Sequence, residues 1–184
     1  MEDSKRLRPS KHEHFLNRAK VVAERSTCLR RRIGAIIVNK DGVELSSGYS
    51  GAPRKIKHCI GIGHCLRMDL NIPSGQNYEL CRGVHAEQNA IINAARTGIS
   101  IVGGEMYISS QKLKGAYANG DEKDKIYGPC IICKKEIINA GLTKVHMREE
   151  GVGEENYTVK QIAQLLAEEE EKWRKKNGSG KPSS

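Results

Sequence analysis

A β-hairpin, followed by alternating helix and strand patterns, sets the fold that this chain can adopt. Residues 33–40 form a strand-sized apolar run, Asp41-Gly42 is a typical hairpin turn, and residues 43–48 return as the partner strand. Apolar spacing and the usual start and stop signals predict further elements. These are helices at residues 13–25, 86–97 and 129–140, and strands at residues 105–109 and 142–147.

This alternation predicts an α/β protein. We expect a three-layer α/β/α sandwich built on a mixed central sheet of about five strands. The first two strands should be antiparallel, and the later ones should be parallel because helices cross over between them. Two stretches interrupt the pattern. Residues 51–84 are rich in Gly, His and Cys and too long for an ordinary loop, which indicates a functional segment, and residues 111–127 form a polar insertion.

The end of the chain predicts one long helix after the main domain. We assign residues 1–157 to a single domain, residues 158–176 to a helix docked on that domain or on a neighbouring subunit, and residues 177–184 to a disordered tail. Thr158 and Gln161 form a capping box at the start of this helix. Its apolar residues lie roughly on one face: Val159, Ile162, Leu165, Leu166 and Trp173.

The charge of the chain restricts its partners. Lys and Arg outnumber Asp and Glu by 31 to 22, which gives a formal net charge of +9. Such a balance favours anionic partners, from a mononucleotide to a polynucleotide, although a solubilising surface is an equal alternative. One Phe, one Trp and six Tyr leave few platforms for stacking the bases of a long single strand. The chain has no apolar run of membrane-spanning length and no secretory signal, which predicts a soluble, cytoplasmic protein without a membrane partner.

Six cysteines are many for a chain that carries no export signal. Stable disulfides are disfavoured in a reducing cytosol, so cysteines that cluster near histidines more often bind a metal, with zinc as the first candidate. The six are Cys28, Cys59, Cys65, Cys81, Cys130 and Cys133.

Two short motifs carry the chemistry, and each stands at the predicted start of a helix. The first is HAE at residues 85–87, and the second is PCIIC at residues 129–133. The two cysteines of PCIIC are three residues apart, so both thiols point to one side of a helical turn, where the helix dipole stabilises thiolates. With His85 they offer zinc three ligands and leave its fourth position open to water, which is the catalytic arrangement. Glu87 lies within reach of that water and can accept its proton.

A CxxC pair alone is also typical of a structural zinc site or a redox pair, and the HAE motif is what favours catalysis here. Together the motifs resemble the signature of the zinc-dependent cytidine and deoxycytidylate deaminases. Four segments in the family's order are similar to its deoxycytidylate deaminase branch, and the likeness covers roughly residues 13–148. They are Arg25-Ser26-Thr27-Cys28, Gly48-Tyr49-Ser50-Gly51-Ala52-Pro53, His58-Cys59 and His85-Ala86-Glu87-Gln88-Asn89-Ala90-Ile91.

This resemblance implies the cytidine deaminase-like fold and hydrolytic deamination of dCMP to dUMP and ammonia, a step in pyrimidine nucleotide metabolism that supplies dTTP. It also implies a homo-hexamer, which in many members is activated by dCTP and inhibited by dTTP. By the same resemblance His85, Cys130 and Cys133 hold the catalytic zinc, and Glu87 moves protons between the water, the ring nitrogen and the departing amine.

The resemblance also suggests residues that contact the substrate or an effector. Tyr127 could flank the base, with a packed surface tyrosine as the alternative. Ser50 stands where the family usually has an Asn that contacts the sugar or an effector. Arg25 and Arg54 adjoin family motifs and are candidates for the 5′-phosphate. Arg96 closes the HAE helix, where the family places an effector-phosphate residue, although a cation there also complements the helix C-terminus.

Four cysteines lie outside the PCIIC motif, and we expect them to bind a second, structural zinc that pins the segment 51–84. They are Cys28, Cys59, Cys65 and Cys81, and His58 or His64 could replace one of the thiols. The alternative is that one or two of these cysteines are simply small buried apolar side chains.

Two other functions remain open at this point. A deaminase that acts on dCTP or on a polynucleotide would use the same chemistry. The basic charge favours a polynucleotide, whereas the few aromatic residues and the GYSGAP and HC motifs argue against it. A non-catalytic, zinc-binding DNA-uptake accessory protein is a different class, and Glu87 argues against it because a structural site needs no carboxylate beside an open ligand position.

Overall fold

The computed structural model describes residues 8–73, 76–113 and 128–177. Its strands are β1 (Arg31–Val38), β2 (Glu44–Tyr49), β3 (Glu105–Lys112), β4 (Lys144–Glu149) and β5 (Gly153–Thr158). They form one sheet in the order β2-β1-β3-β4-β5. β1 is antiparallel to β2 and β3, β3 is parallel to β4, and β4 is antiparallel to β5. The sheet is therefore mixed and five-stranded, as predicted.

The helices within these ranges are α1 (Lys11–Ala23), α2 (Cys59–Ile62), α3 (Leu66–Asp69), α4 (Ala86–Thr97), α5 (Ile131–Asn139) and α6 (Val159–Asn177). A 3₁₀ turn adds residues Tyr78–Leu80. None of the helices in the described ranges is long and apolar enough to cross a membrane.

Helices cover both faces of the sheet, which explains the unbroken apolar run in β1. Side chains alternate between the faces of a strand. Ala35 and Ile37 join the core beneath α4, α5 and α6, whereas Ile36 and Val38 pack with Leu16 of α1 on the opposite face. The predicted three-layer α/β/α sandwich is confirmed.

Strand β5 has no counterpart among the strands predicted from sequence. Its sequence, GEENYT, is polar and its residues are mostly exposed, because an edge strand needs no alternating apolar residues. A turn that contains Gly151 at φ +82° joins it directly to β4. The pair is consequently antiparallel, so the prediction that the later strands are parallel is right for β3 and β4 and wrong for β5.

Strand β3 is longer than the predicted 105–109 and takes in the first residues of the predicted polar insertion. Gln111 and Lys112 extend the strand because they pair with Arg32 and Arg31 of β1. The remainder of the insertion, residues 114–127, lies outside the described residues.

Helix α6 begins directly where β5 ends. The backbone N–H of Thr158 donates to Oε1 of Gln161 at 2.8 Å, and the backbone N–H of Gln161 donates to Oγ1 of Thr158 at 3.3 Å, so the predicted capping box is confirmed. Ile162 is fully buried in the core under the sheet. Trp173 was expected on the docking face but is 67% exposed, because the helix extends beyond the body there. Of the predicted tail, residues 178–184 lie outside the described residues.

Candidate active site

The HAE motif places its histidine at the N-cap of α4 and fixes it there through the helix's own first turn. The backbone N–H of His85 donates to Oε1 of Gln88 at 3.0 Å. The side-chain amide of Gln88 in turn donates to Oε1 of Glu136 on α5 at 2.8 Å. The side chain of Gln88 therefore links α4 to α5.

The two cysteines of PCIIC meet this histidine. Cys130 is the N-cap residue of α5 and Cys133 lies in its first turn. Their Sγ atoms lie 3.3 and 3.4 Å from Nδ1 of His85. In the described part of the chain this is the one group of three or more His, Cys, Asp or Glu side chains whose ligand atoms all lie within 4.8 Å of one another. Two thiols and one imidazole are a donor set that suits zinc.

The electrostatics of this group also suit a cation. A hydrogen bond with the Cys133 thiol lowers the pKa of Cys130 to about 4, and the contact with His85 acts in the same direction. The bond between the thiols raises the pKa of Cys133. Burial lowers the pKa of His85, but its bond to Cys130 and the charge of Glu87 outweigh that and raise it. One thiolate is therefore available at neutral pH to a divalent metal ion.

Glu87 lies beside the three candidate ligands and is only 6% exposed. Burial raises the pKa of its carboxyl above the ordinary value, while the charge on His85 opposes the shift. A carboxyl with a raised pKa can hold a proton as well as accept one, which is what a group that passes protons within a single reaction needs.

A cavity of about 800 Å³ is lined by Glu87 and by two of the candidate ligands, His85 and Cys130. Five cations in its wall were not singled out from the sequence: Arg30, Arg31, Arg67, Arg82 and the buried Lys134, which forms an ion pair with Glu169 of α6. Nothing in the local pattern distinguishes them from the other basic residues of this chain, because their position depends on how β1, α5, α6 and the segment 51–84 come together.

The long segment 51–84 folds back on itself and ends directly before His85 of the candidate active site. Gly51 and Val84, at its two ends, exchange backbone hydrogen bonds of 3.1 and 2.8 Å. The segment contains α2, α3 and the 3₁₀ turn, and it forms one wall of the cavity. The prediction that residues 51–84 are more than a connecting loop therefore agrees with their place in the fold.

The four remaining cysteines all line this cavity: Cys28, Cys59, Cys65 and Cys81. Burial raises the pKa of Cys59, and the charges of the other three thiols add to that. The fold therefore gathers these thiols, although no three of them are as close together as the first group of ligands. A second zinc held by them stays a prediction.

The other residues predicted from sequence lie at different distances from the cavity. Ser50 is buried in its wall, and its hydroxyl pairs with that of Ser26 at 2.7 Å. Arg25 and Arg54 are exposed and are not among the described lining residues, and Nη2 of Arg54 donates to Asn93 at 3.0 Å. Arg96 lies in the exposed last turn of α4. Their roles stay predictions. Tyr127 lies outside the described residues.

Comparison with known proteins identifies the family to which this chain belongs. The model of the cytidine and deoxycytidylate deaminase zinc-binding region matches residues 9–149. Deoxycytidylate deaminase of Saccharomyces cerevisiae is 29% identical over 154 residues, covering 83% of this chain and 42% of the yeast protein. ComE operon protein 2 of Bacillus subtilis is 32% identical over 143 residues, covering 78% of this chain and 61% of that protein. The chain therefore spans less than two thirds of either relative.

A solved structure agrees with the sequence relatives. The crystal structure of dCMP deaminase from the cyanophage S-TIM5, in complex with dCMP and dUMP, is 25% identical. It superimposes with a TM-score of 0.55 over 88% of this chain and 93% of the phage protein. The family model covers both motifs and most of the sheet, and the chain belongs to the cytidine and deoxycytidylate deaminase family.

Proposed function

We propose that this protein is a zinc-dependent enzyme that hydrolyses dCMP to dUMP and ammonia. The observation that carries the proposal is that His85, Cys130 and Cys133 meet beside the buried carboxyl of Glu87, next to a cavity that is large enough for a nucleotide and is lined by His85, Cys130 and Glu87. The similarity to proteins named deoxycytidylate deaminase, and to a phage enzyme crystallised with dCMP and dUMP, supports dCMP as the substrate.

The three ligands and Glu87 divide the chemistry between them. Zinc held by His85, Cys130 and Cys133 supplies the Lewis acidity that makes water nucleophilic near neutral pH. The Glu87 carboxylate accepts a proton from the attacking water and gives it to the ring nitrogen of cytosine. It then passes the second proton of that water to the amino group, which leaves carbon 4 as ammonia. The buried setting of Glu87 suits both steps, because its raised pKa lets the carboxyl keep a proton between them.

The cavity wall supports an anionic substrate. Arg31 pairs with Glu149 and Lys134 with Glu169, but the five basic residues among the described lining residues outnumber the three acidic ones, so a phosphate group that enters meets net positive charge. Ser50, in the same wall, is proposed to contact the sugar. Arg25 and Arg54 remain candidates for the 5′-phosphate only if the exposed segments that carry them close over a bound nucleotide.

A homo-oligomer, with the hexamer as the expected form, and control by dCTP and dTTP belong to the same proposal. Large apolar side chains at the end of α4 and just after it support an interface between copies: Ile92 is 46% exposed, Ile99 41% and Val102 77%. Arg96 lies on the same stretch and is the proposed contact for an effector phosphate.

We also propose that Cys28, Cys59, Cys65 and Cys81 hold a second, structural zinc. Their common place in the cavity wall supports it, and so does the absence of disulfides among them, because free thiols that lie near one another suit a metal. Such an ion would fix the segment 51–84 against the start of β1.

The test of the reaction is ammonia release from dCMP by the zinc-loaded protein and by Glu87→Gln. We expect the variant to lose at least about 100-fold in kcat, because it keeps the shape of the side chain but cannot accept a proton. Its zinc content should equal that of the unmodified chain. Glu24→Gln, which changes an exposed carboxyl at the end of α1, is the matched control and should retain full activity.

The same assay with dCTP, cytidine and a cytosine-containing oligonucleotide tests the substrate. Turnover confined to dCTP or the oligonucleotide would keep the mechanism and replace the substrate. No turnover of any compound, with dCTP present as effector, would contradict the proposal. It would favour the non-catalytic, zinc-binding accessory role, which is the alternative that the similarity to ComE operon protein 2 leaves open.

A further inference from the structure

The ring of Tyr78 packs against the candidate zinc ligand His85. The two ring centroids lie 5.3 Å apart and the ring planes meet at 72°, which is an edge-to-face contact. Tyr78 is half-buried and lines the cavity. It is also the one Phe, Tyr or Trp among the described residues of the cavity wall, so the aromatic contact to His85 has no substitute there.

Arg67 also contacts the ring of this tyrosine. Its guanidinium carbon lies 5.3 Å from the centroid of the Tyr78 ring, within the range of a cation–π contact. Nη2 of Arg67 also donates to the carbonyl oxygens of Pro73 and Gln76, at 2.9 and 2.7 Å. One side chain therefore fixes both the ring and the backbone that leads to it.

The burial of Arg67 indicates that its contacts with Tyr78 and with the two carbonyl oxygens are part of the packed fold. The residue is only 7% exposed, and removing a guanidinium from water is costly unless other groups receive it. Two carbonyl oxygens, which both accept from Nη2, and the face of an aromatic ring do so here, while the buried Nε has no hydrogen-bond partner among the described residues. Asn77, directly before the tyrosine, has φ +47°, a left-handed conformation that Asn tolerates better than most residues and that turns the chain before the ring.

A histidine that binds a metal needs its ring held in one plane, and groups outside the ligand set usually do this. Nδ1 of His85 faces the thiols of Cys130 and Cys133, so the plane of the ring decides how well this nitrogen points to a shared ion. We propose that Tyr78 is a positioning residue that fixes the plane of His85, and that Arg67 acts on His85 through Tyr78. This inference rests on the proposed function only in taking His85 as a metal ligand.

The test uses Co²⁺ in place of zinc, because the visible absorption of cobalt reports the geometry of its ligands. Subtracting the spectrum of Cys133→Ser isolates the site of His85 from any metal bound by the other cysteines. Tyr78→Leu and Arg67→Met should each change this difference spectrum and weaken metal binding by about 10-fold. Tyr78→Phe keeps the ring and should match the unmodified chain. Lys57→Met removes an exposed charge from the same segment, outside the lining of the cavity, and should leave the spectrum unchanged.

A double variant decides whether Arg67 acts through the tyrosine. Arg67→Met should cost about 10-fold in metal affinity in the unmodified chain but little in a Tyr78→Leu background, because the two changes then remove the same support. Independent, additive losses would overturn the proposed chain of contacts. An unchanged spectrum and affinity in Tyr78→Leu would overturn the positioning role itself.

Two further measurements separate this proposal from folding effects and from the reaction. Thermal unfolding of each variant identifies loss of structure, and Arg67→Lys, which keeps the charge but not the paired donors, replaces Arg67→Met if the latter does not fold. In the assay with dCMP we expect kcat to fall about 10-fold in Tyr78→Leu with little change in KM. If the unmodified chain does not deaminate dCMP, the proposed function fails while the cobalt spectra still decide the role of Tyr78.

Discussion

Gly48 lies where α4 crosses β2, and the helix backbone fills the space that a side chain would need. A Cβ atom at this position would come within 2.3 Å of the Ala90 nitrogen and 2.5 Å of the Ala86 oxygen. The side chains of Asn89 and Asn93 then bind the strand, since each donates to a β2 carbonyl at 2.8 Å. Because α4 begins directly after His85, the close contact between Gly48 and α4 also determines the position of this histidine.

Gly48→Ala should therefore lower the free energy of unfolding by about 1–3 kcal/mol, the usual cost of forcing a methyl group into a packed site. The effect is steric, because Gly48 does not have a positive φ. Chemical denaturation measures it, with Gly83→Ala as the control, where the added methyl would meet no atom closer than 3.7 Å. Equal stability of the two variants would show that α4 can move away from β2 at little cost.

Single residues differ in how far the sequence reveals them. His85, Glu87 and the two cysteines of PCIIC could be predicted because each motif fixes its geometry within one helical turn. Tyr78 and Arg67 could not, because they are eleven positions apart in the sequence and only the folded segment brings them together. The sequence carries no local signal for such a contact.

The parallel strands β3 and β4 are joined by side chains as well as by their backbones. The Glu105 carboxylate at the start of β3 accepts hydrogen bonds from Nζ of Lys144 at 2.9 Å and from Nε2 of His146 at 2.8 Å. The ring of His146 also stacks on Tyr107, with 4.3 Å between the centroids. These contacts link the two central strands on the face that α1 covers.

The Glu105 contacts predict a pH dependence of stability. Burial raises the pKa of Glu105, but the bonds from Lys144 and His146 outweigh it and lower the pKa below its ordinary value of 4.5. A carboxyl with a lowered pKa in the folded state stabilises the protein above that value and loses this contribution as the pH falls through the folded pKa. Lys144 is half exposed, so the contribution should be under about 1 kcal/mol.

Urea denaturation of the unmodified chain and of Glu105→Gln, at pH 7, 5 and 4, checks this expectation. The unmodified chain should be the more stable at pH 7, and the difference should shrink as the pH falls below 4.5. A difference that stays constant over this range would mean that the carboxylate charge contributes nothing to the link between β3 and β4.

The strands also differ in how far the sequence predicts them, because some have a local signal and others depend on their partners in the folded sheet. The strands β1 to β4 carry an apolar or turn signal of their own, and all four could be predicted from the sequence. β5 carries none, since its stability comes from pairing with β4 and from α6, which begins at its last residue. An edge strand of this kind becomes visible only when its partner is known.

At the scale of the whole molecule, the segment 51–84 lines the same cavity as the candidate active site. The bridge between Gly51 and Val84 closes the segment at its base, and the four thiols outside PCIIC then face the same cavity as the candidate catalytic ligands. If those thiols hold a zinc ion, the metal takes over part of the packing that an apolar core would provide. Stability and catalysis would then depend on different ions.

Metal analysis of single variants separates these two sites. The chain expressed with ample zinc should contain about two ions, and Cys133→Ser and Cys59→Ser should each contain about one. Cys59→Ser should also lower the thermal unfolding temperature more than Cys133→Ser does, because only the former releases the segment 51–84. One ion in the unmodified chain, or two in Cys59→Ser, would show that the second group of cysteines binds no zinc. In that case the thiols pack as small apolar side chains, and the bridge between Gly51 and Val84 holds the cavity wall without a metal.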